Sequence, residues 1–308
     1  DADGNSHSVD AEGNESYANA DGSSGTMNAD GSSTHTDADG NSHSMDADGN
    51  ESYASADGSS GTMNADGSST HTDADGNSHS MDAEGNESYE GADGSSATMN
   101  AEGSGTYTGA DGTTATMDAD GGGSYEMADG SSGTYDADGG GTYTGADGSS
   151  GSYSADGSYS HTDADGNSHS MDAEGNESYA SADGSSGSFS ADGSYTHTEA
   201  DGSSFSGDAE GNGSYEMADG SSGSYSADGS YTHTEADGSS FSGDAEGNGS
   251  YEMADGSSGS YSADGSYSHT DAEGNSCTAD ADGNGSWTSE DGSSGSYAAD
   301  GSSSYTDA

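Results

Sequence analysis

The sequence has no lysine, arginine, proline, leucine, isoleucine or glutamine, and a single cysteine. Without Lys or Arg it has nothing to set against phosphate, which excludes nucleic acid as a partner. An anionic membrane surface would repel it as well. No apolar run approaches the length of a membrane helix or a signal-peptide core, so membrane insertion is not expected. One cysteine, Cys277, rules out an internal disulfide framework.

What is present is glycine, serine, alanine, tyrosine and acid. Sixty Asp and Glu give a net charge of −60, and hydrophobic residues make up 25% of the chain. That composition alone predicts disorder. A strict repeat overrides it, because a disordered tail has no need of aromatics in phase. The nonapeptide first seen as Ala2-Asp3-Gly4-Asn5-Ser6-His7-Ser8-Val9-Asp10 recurs 34 times without insertion or deletion. Its second place is always Asp or Glu, its third always Gly, and its first always Ala except at Glu290. Nothing interrupts the period, so residues 1–308 read as one continuous repeat domain. The chain opens at Asp1 inside a repeat and has no capping sequence at either end, which suggests a rod that continues into another copy.

Asp-Gly after a short alternating run is a turn signal, since Gly reaches positive φ at no steric cost. The Ser, Thr, Tyr and Asn between turns favour strand over helix. Each nonapeptide is therefore one strand and one turn. In odd-numbered repeats the bulk sits at place 8 (Val9, Met27, Met45, Met63 and onward). In even-numbered repeats it sits at place 7, as the lane Tyr17, His35, Tyr53, His71, Tyr89, Tyr107, Tyr125, Tyr143, aromatic to the end of the chain. The full period is thus 18 residues. An antiparallel meander would put the two lanes on opposite faces of one sheet, each half apolar and burying nothing. A coil with one strand of each kind brings both lanes inward across the ~10 Å between packed sheets. The expected fold is therefore all-β: a parallel β-solenoid of 34 nonapeptides, with 18 residues per coil and about 17 coils stacked at about 4.8 Å.

In that solenoid the odd strands turn outward an unbroken hydroxyl array at places 5 and 7, with pairs such as Ser24/Thr26, Ser60/Thr62 and Thr114/Thr116. The outward face of the even strands is broken by Glu90, Glu126, Glu216 and Glu252. Stacked acids about 4.8 Å apart repel by roughly 1 kcal/mol per adjacent pair even in water, so cations must neutralise them. The alternating oxygen donors Asp37, Asp39, Asn41 and, separately, Asp280, Asp282, Asn284 suit Ca²⁺ and are two candidate calcium sites, Asp291 belonging with the second.

The stretch from Asp280 to Asp291 resembles the opening of an EF-hand loop. The chain-wide period of two nonapeptides per coil is similar to that of the RTX-type calcium β-roll, although the Gly-Gly-x-Gly-x-Asp signature is absent. The stacked hydroxyls and tyrosine ladder resemble bacterial ice-nucleation repeats. These resemblances imply, respectively, calcium binding and an ice-facing surface.

The pairs His35/His43, His71/His79 and His161/His169 could meet across the core, most simply as flat fillers in place of Tyr. No catalytic residue is assigned, because a uniform repeat offers the same groups in every unit and no singular pocket. Asn14, Asn50, Asn86, Asn176, Asn212, Asn248 and Asn284 stand in Asn-x-Ser sequons and are candidate glycan acceptors if the chain is secreted. Cys277 reads as a small core residue supplying the bulk missing at Ala279.

Three readings of function remain open. The first is a non-enzymatic structural protein of the cell exterior or surface, a filament or stalk neutralised by Ca²⁺ and associating end to end or laterally. The second is an ice-binding or ice-nucleating protein using the flat Ser/Thr array. The third is a calcium-dependent adhesin spacer. Partners beyond self would be an ice surface or glycans.

Overall fold

The computed structural model describes residues 3–308. Every nonapeptide forms one four-residue strand at places 5–8, from β1 (Ser6–Val9) to β34 (Ser303–Thr306), and the described residues contain no helix. The chain divides into two compact units. The first ends at Ala155 and holds β1 to β17 (Ser150–Tyr153); the second, Asp156–Ala308, holds β18 (Tyr159–Thr162) to β34.

The turn follows from Ala-Asp-Gly. The N–H of Asp10 donates to the carbonyl of Asn14 (3.0 Å), and the N–H of Gly13 donates to the carbonyl of Asp10 (3.3 Å). This is a three-residue hairpin loop ending in a glycine bulge. The place-3 glycines have φ between 85° and 97°, a region that side chains with a Cβ avoid. Two side-chain chemistries lock the loop. Where place 9 is Asp and place 4 is Asn, as at Asp10 and Asn14, the Asp Oδ1 accepts the N–H groups of Glu12 (3.0 Å) and Asn14 (2.9 Å), and its Oδ2 accepts Nδ2 of Asn14 (2.8 Å). In most of the other turns the place-2 acid takes over: Asp21 accepts both the N–H (2.9 Å) and the hydroxyl (2.7 Å) of Ser23.

A loop this short reverses the chain in place. Within each unit consecutive strands therefore pair antiparallel, place 5 opposite place 8 and place 6 opposite place 7. β1 and β2 (Glu15–Ala18) match Ser6 with Ala18 and His7 with Tyr17. β2 and β3 (Ser24–Met27) match Glu15 with Met27 and Tyr17 with Gly25.

The all-β repeat of 34 strand-and-turn units is as the sequence predicts. The strand direction is not: the 18-residue period is a hairpin pair in a meander, where a parallel coil was expected. The reason is parity. Because the pairing centre falls between places 6 and 7, place 8 of an odd strand and place 7 of an even strand lie on the same face of the meander. The objection to a meander, that it separates the two lanes, assumed that equal places share a face, which holds only for parallel neighbours. The two hydroxyl faces assigned to separate sides of a coil likewise merge into one. No hydrophobic residue among those described is buried, and Met27 and Met63 are 62% and 63% exposed. In place of an enclosed core there is an apolar face.

Candidate interaction faces

The apolar face carries two rows. The inner row, place 6 of odd strands and place 7 of even ones, runs His7, Tyr17, Gly25, His35, His43, Tyr53, Gly61, His71 through the opening strands. Glycine is the seat of the neighbouring ring. A Cβ built on Gly25 would stand 2.6 Å from the Tyr17 hydroxyl, and one on Gly61 would stand 2.6 Å from a Tyr53 ring carbon. Lying over that gap, Tyr17 reaches His35 two strands away, with ring centroids 6.2 Å apart and planes at 29°. Its hydroxyl meets Nδ1 of His35, as that of Tyr53 meets His71. In the second unit Tyr179–His197, Tyr215–His233 and Tyr251–His269 repeat the contact at 2.5, 2.5 and 2.6 Å. Tyr89 stands opposite Ala97, Tyr107 opposite Ala97 and Ala115, Tyr125 opposite Ala115 and Gly133, and Tyr143 opposite Gly133 and Gly151. The predicted aromatic lane is thus contiguous on one face within each unit.

Its seats were missed by the sequence reading. The signal was present: Gly25, Gly61, Gly133, Gly187, Gly223, Gly259 and Gly295 each follow a place-7 aromatic by eight residues. The histidine pairs do come together, as cross-strand neighbours on this face. His43 also approaches Glu51 at 3.4 Å. Among the described residues no three His, Cys, Asp or Glu side chains gather closely enough to hold a metal. Cys277 is half-buried on the same face, between His269 and Trp287, where the sequence reading expected an enclosed core.

The opposite face is hydroxyl. Place 7 of an odd strand meets place 6 of the next: Thr26 with Thr34 (2.8 Å), Thr62 with Thr70 (2.8 Å), Thr116 with Ser124 (2.8 Å). Ser24 and Ser60 stand in the outer row opposite Thr36 and Thr72, and Thr114 opposite Thr108 and Glu126. Ala18, Ala54 and Ala180, with Glu90, Glu126, Glu216 and Glu252, interrupt only that outer row.

The candidate calcium ligands sit in turns, where protein donors engage their oxygens. Asp37 Oδ1 accepts the N–H groups of Asp39 and Asn41, each at 2.9 Å, and its Oδ2 accepts Nδ2 of Asn41 (2.8 Å). The side-chain bond from Asn41 leads the effects that hold the Asp37 carboxyl below its usual range. Asp280 is held by Asn284 in the same way, and Asp291 by Ser293. Asp282 and Asp291 lie in loops at opposite ends of one strand, Gly285–Thr288, so the EF-hand-like set does not converge.

The sequon asparagines also have structural work. Asn14 Oδ1 accepts the N–H of Ala29, tying its turn to the next one on the same sheet edge (3.0 Å). Asn50, Asn86, Asn176, Asn212, Asn248 and Asn284 do the same to Ala65, Ala101, Ala191, Ala227, Ala263 and Ala299. In all seven the Nδ2 that a glycan would occupy donates to the Asp that opens the loop.

Comparison with known protein families finds no match, and comparison with curated proteins finds none either. Among solved structures, the TCP10 domain of Danio rerio CPAP in complex with a STIL peptide is similar at 17% identity and a TM-score of 0.37, covering 56% of this chain and 95% of that one. The TCP10c domain of Drosophila melanogaster Sas-4 is similar at 16% identity and a TM-score of 0.31, covering 42% and 97%. What this chain does is read from its own two faces.

Proposed function

We propose that the chain is a non-catalytic structural protein that assembles by stacking its aromatic and methionine face on the same face of a second copy. The carrying observation is that both bulky lanes share one exposed face while no hydrophobic residue among those described is buried. A lone sheet layer leaves that surface in water, whereas two layers at about 10 Å enclose it. In each unit, 17 strands of four residues present a strip of roughly 80 by 13 Å, or about 1,000 Å². A stable interface needs about 800 Å² per partner, so one unit suffices. A second copy fits because the face holds little charge of its own. Glu15, Glu51, Glu87 and Glu177 are its acids, each beside a histidine, and the remaining acids lie in the turns or on the hydroxyl face. The product is a two-layered β-fibre clothed in hydroxyls, suited to a secreted filament or stalk. Cations of the medium, Ca²⁺ included, would act on it by screening the turn carboxylates.

Sedimentation across a salt series tests this reading. Monomers at low ionic strength and dimers or larger species at high salt support it, because the screening length falls from about 30 Å at 0.01 M to about 3 Å at 1 M. A monomer at every salt concentration, with calcium or without, would end it.

A second reading, contact with ice through the hydroxyl face, is favoured by the uninterrupted inner row of Ser and Thr pairs. A freezing-point depression measurement decides it, and no thermal hysteresis at high concentration rejects it.

A further inference from the structure

Two tyrosine pairs in the second unit have a geometry that neither the stacking of sheets nor the hydroxyl face requires. Along one row of the apolar face, Tyr195 stands opposite Gly207, Gly207 opposite Gly213, and Gly213 opposite Tyr225. The two phenols lean toward each other over the two glycines until their hydroxyl oxygens are 3.2 Å apart. The glycines are essential to this: a Cβ on Gly207 would fall 2.4 Å from a ring carbon of Tyr195, and one on Gly213 would fall 2.3 Å from the Tyr225 hydroxyl. The next 36 residues repeat the arrangement, with Tyr231 and Tyr261 meeting at 3.5 Å over Gly243 and Gly249. Tyr267 and Tyr297 hold the same register across Ala279 and Gly285, where alanine stands in one of the two glycine seats. In the first unit Tyr135 and Tyr153 flank Gly141 in the corresponding row, and Tyr135 donates to the carbonyl of Thr116 (3.2 Å).

We infer that Tyr195–Tyr225 and Tyr231–Tyr261 are sites of intrachain dityrosine formation by a peroxidase-type oxidant. Tyr225, Tyr231 and Tyr261 are 43 to 44% exposed, within reach of such a reagent. In each pair both phenols lose one electron and one proton, and the two radicals join through a carbon–carbon bond between ring positions ortho to the hydroxyls. Two aromatic C–H bonds break, and rearomatisation restores both hydroxyls. The two electrons and two protons reduce one hydrogen peroxide to two waters. Holding the partners together in advance makes the second encounter intramolecular, which favours coupling within the chain over coupling between chains. The bonds to Tyr195 and Tyr231 hold Tyr225 and Tyr261 above the ordinary phenol range, so these phenols carry their protons at neutral pH. Each link would staple four consecutive strands.

The experiment treats the dilute, full-length chain with hydrogen peroxide and a haem peroxidase. Dityrosine fluorescence is read in the monomer fraction, and the links are mapped by mass spectrometry after cleavage at aspartate. Two links at the named pairs are expected, each with the loss of two hydrogens. Tyr195→Phe should remove the first link alone, and the double variant Y195F/Y231F should bring monomer fluorescence to background while circular dichroism keeps the strand signal. As a second route, G207A with G213A should lift the rings apart and abolish the 195–225 link while the other persists. Intrachain links mapping to other tyrosines, links only between chains, or a double variant as fluorescent as the parent would each overturn the inference.

Discussion

A methyl group at Gly25 would sit 2.5 Å from the carbonyl oxygen of Thr34 and 2.6 Å from the hydroxyl of Tyr17. Gly25→Ala is therefore expected to unseat Tyr17 from His35 at a cost of about 1–3 kcal/mol, as for other overpacked sites, seen as faster hydrogen exchange across β2 and β3. The asparagine ties can be tested with equal economy. Asn50→Ala deletes the acceptor for the Ala65 N–H, and a lost bond of about 1 kcal/mol predicts roughly fivefold faster exchange at that amide. Acid acts through the same turns. Hydrogen bonds from Asn14, Asn41 and Asn50 hold the carboxyls of Asp10, Asp37 and Asp46 below 3.8 when folded. Their contribution is thus complete above the unfolded value of 3.8 and is lost as pH falls through the lower folded values. The strand signal in circular dichroism should accordingly survive at pH 4.5 and weaken only below 3.8.

At the scale of the element, the strand-and-turn unit was legible in the sequence and its partner was not. Asp-Gly predicted the turn, and Gly148, like its equivalents, adopts the expected positive φ (89°). Gly148→Ala should cost about 1–3 kcal/mol, measurable as a local loss of exchange protection in the hairpin it closes. Direction was harder to read, because place 8 at Met27 and place 7 at Tyr17 look like different lanes until the hairpin register sets Tyr17 beside Gly25 and Met27 beside Glu15. Had the eight-residue step from Tyr17 to Gly25 been read as a ring over its seat, it would have revealed the antiparallel neighbour. The candidate calcium donors have a second role that depends on the same loop. Asp37 and Asn41 have the spacing of metal ligands, but a three-residue loop needs the same spacing to satisfy its own N–H groups. The hydroxyl array was legible residue by residue. That it belongs to one face, with Thr26 bonded to Thr34, depended on pairing direction.

For the whole molecule, the governing tension is between a net charge of −60 and an uncovered aromatic face. Charge favours separated copies, the apolar face favours stacked ones, and salt decides between them. Acid removes carboxylate charge, so assembly should strengthen as pH falls toward 4.5, where the turns are still intact. Replacing Met27, Met45, Met63 and Met81 with Asp would place four charges on the face of the first unit and is expected to shift assembly to higher salt in light scattering. The central claim, two sheets joined through that face, is tested most directly by fibre diffraction from aligned assemblies. Reflections at about 4.8 Å along the strand-stacking direction and about 10 Å across the layers are predicted. A pattern with the first spacing and no second would contradict it.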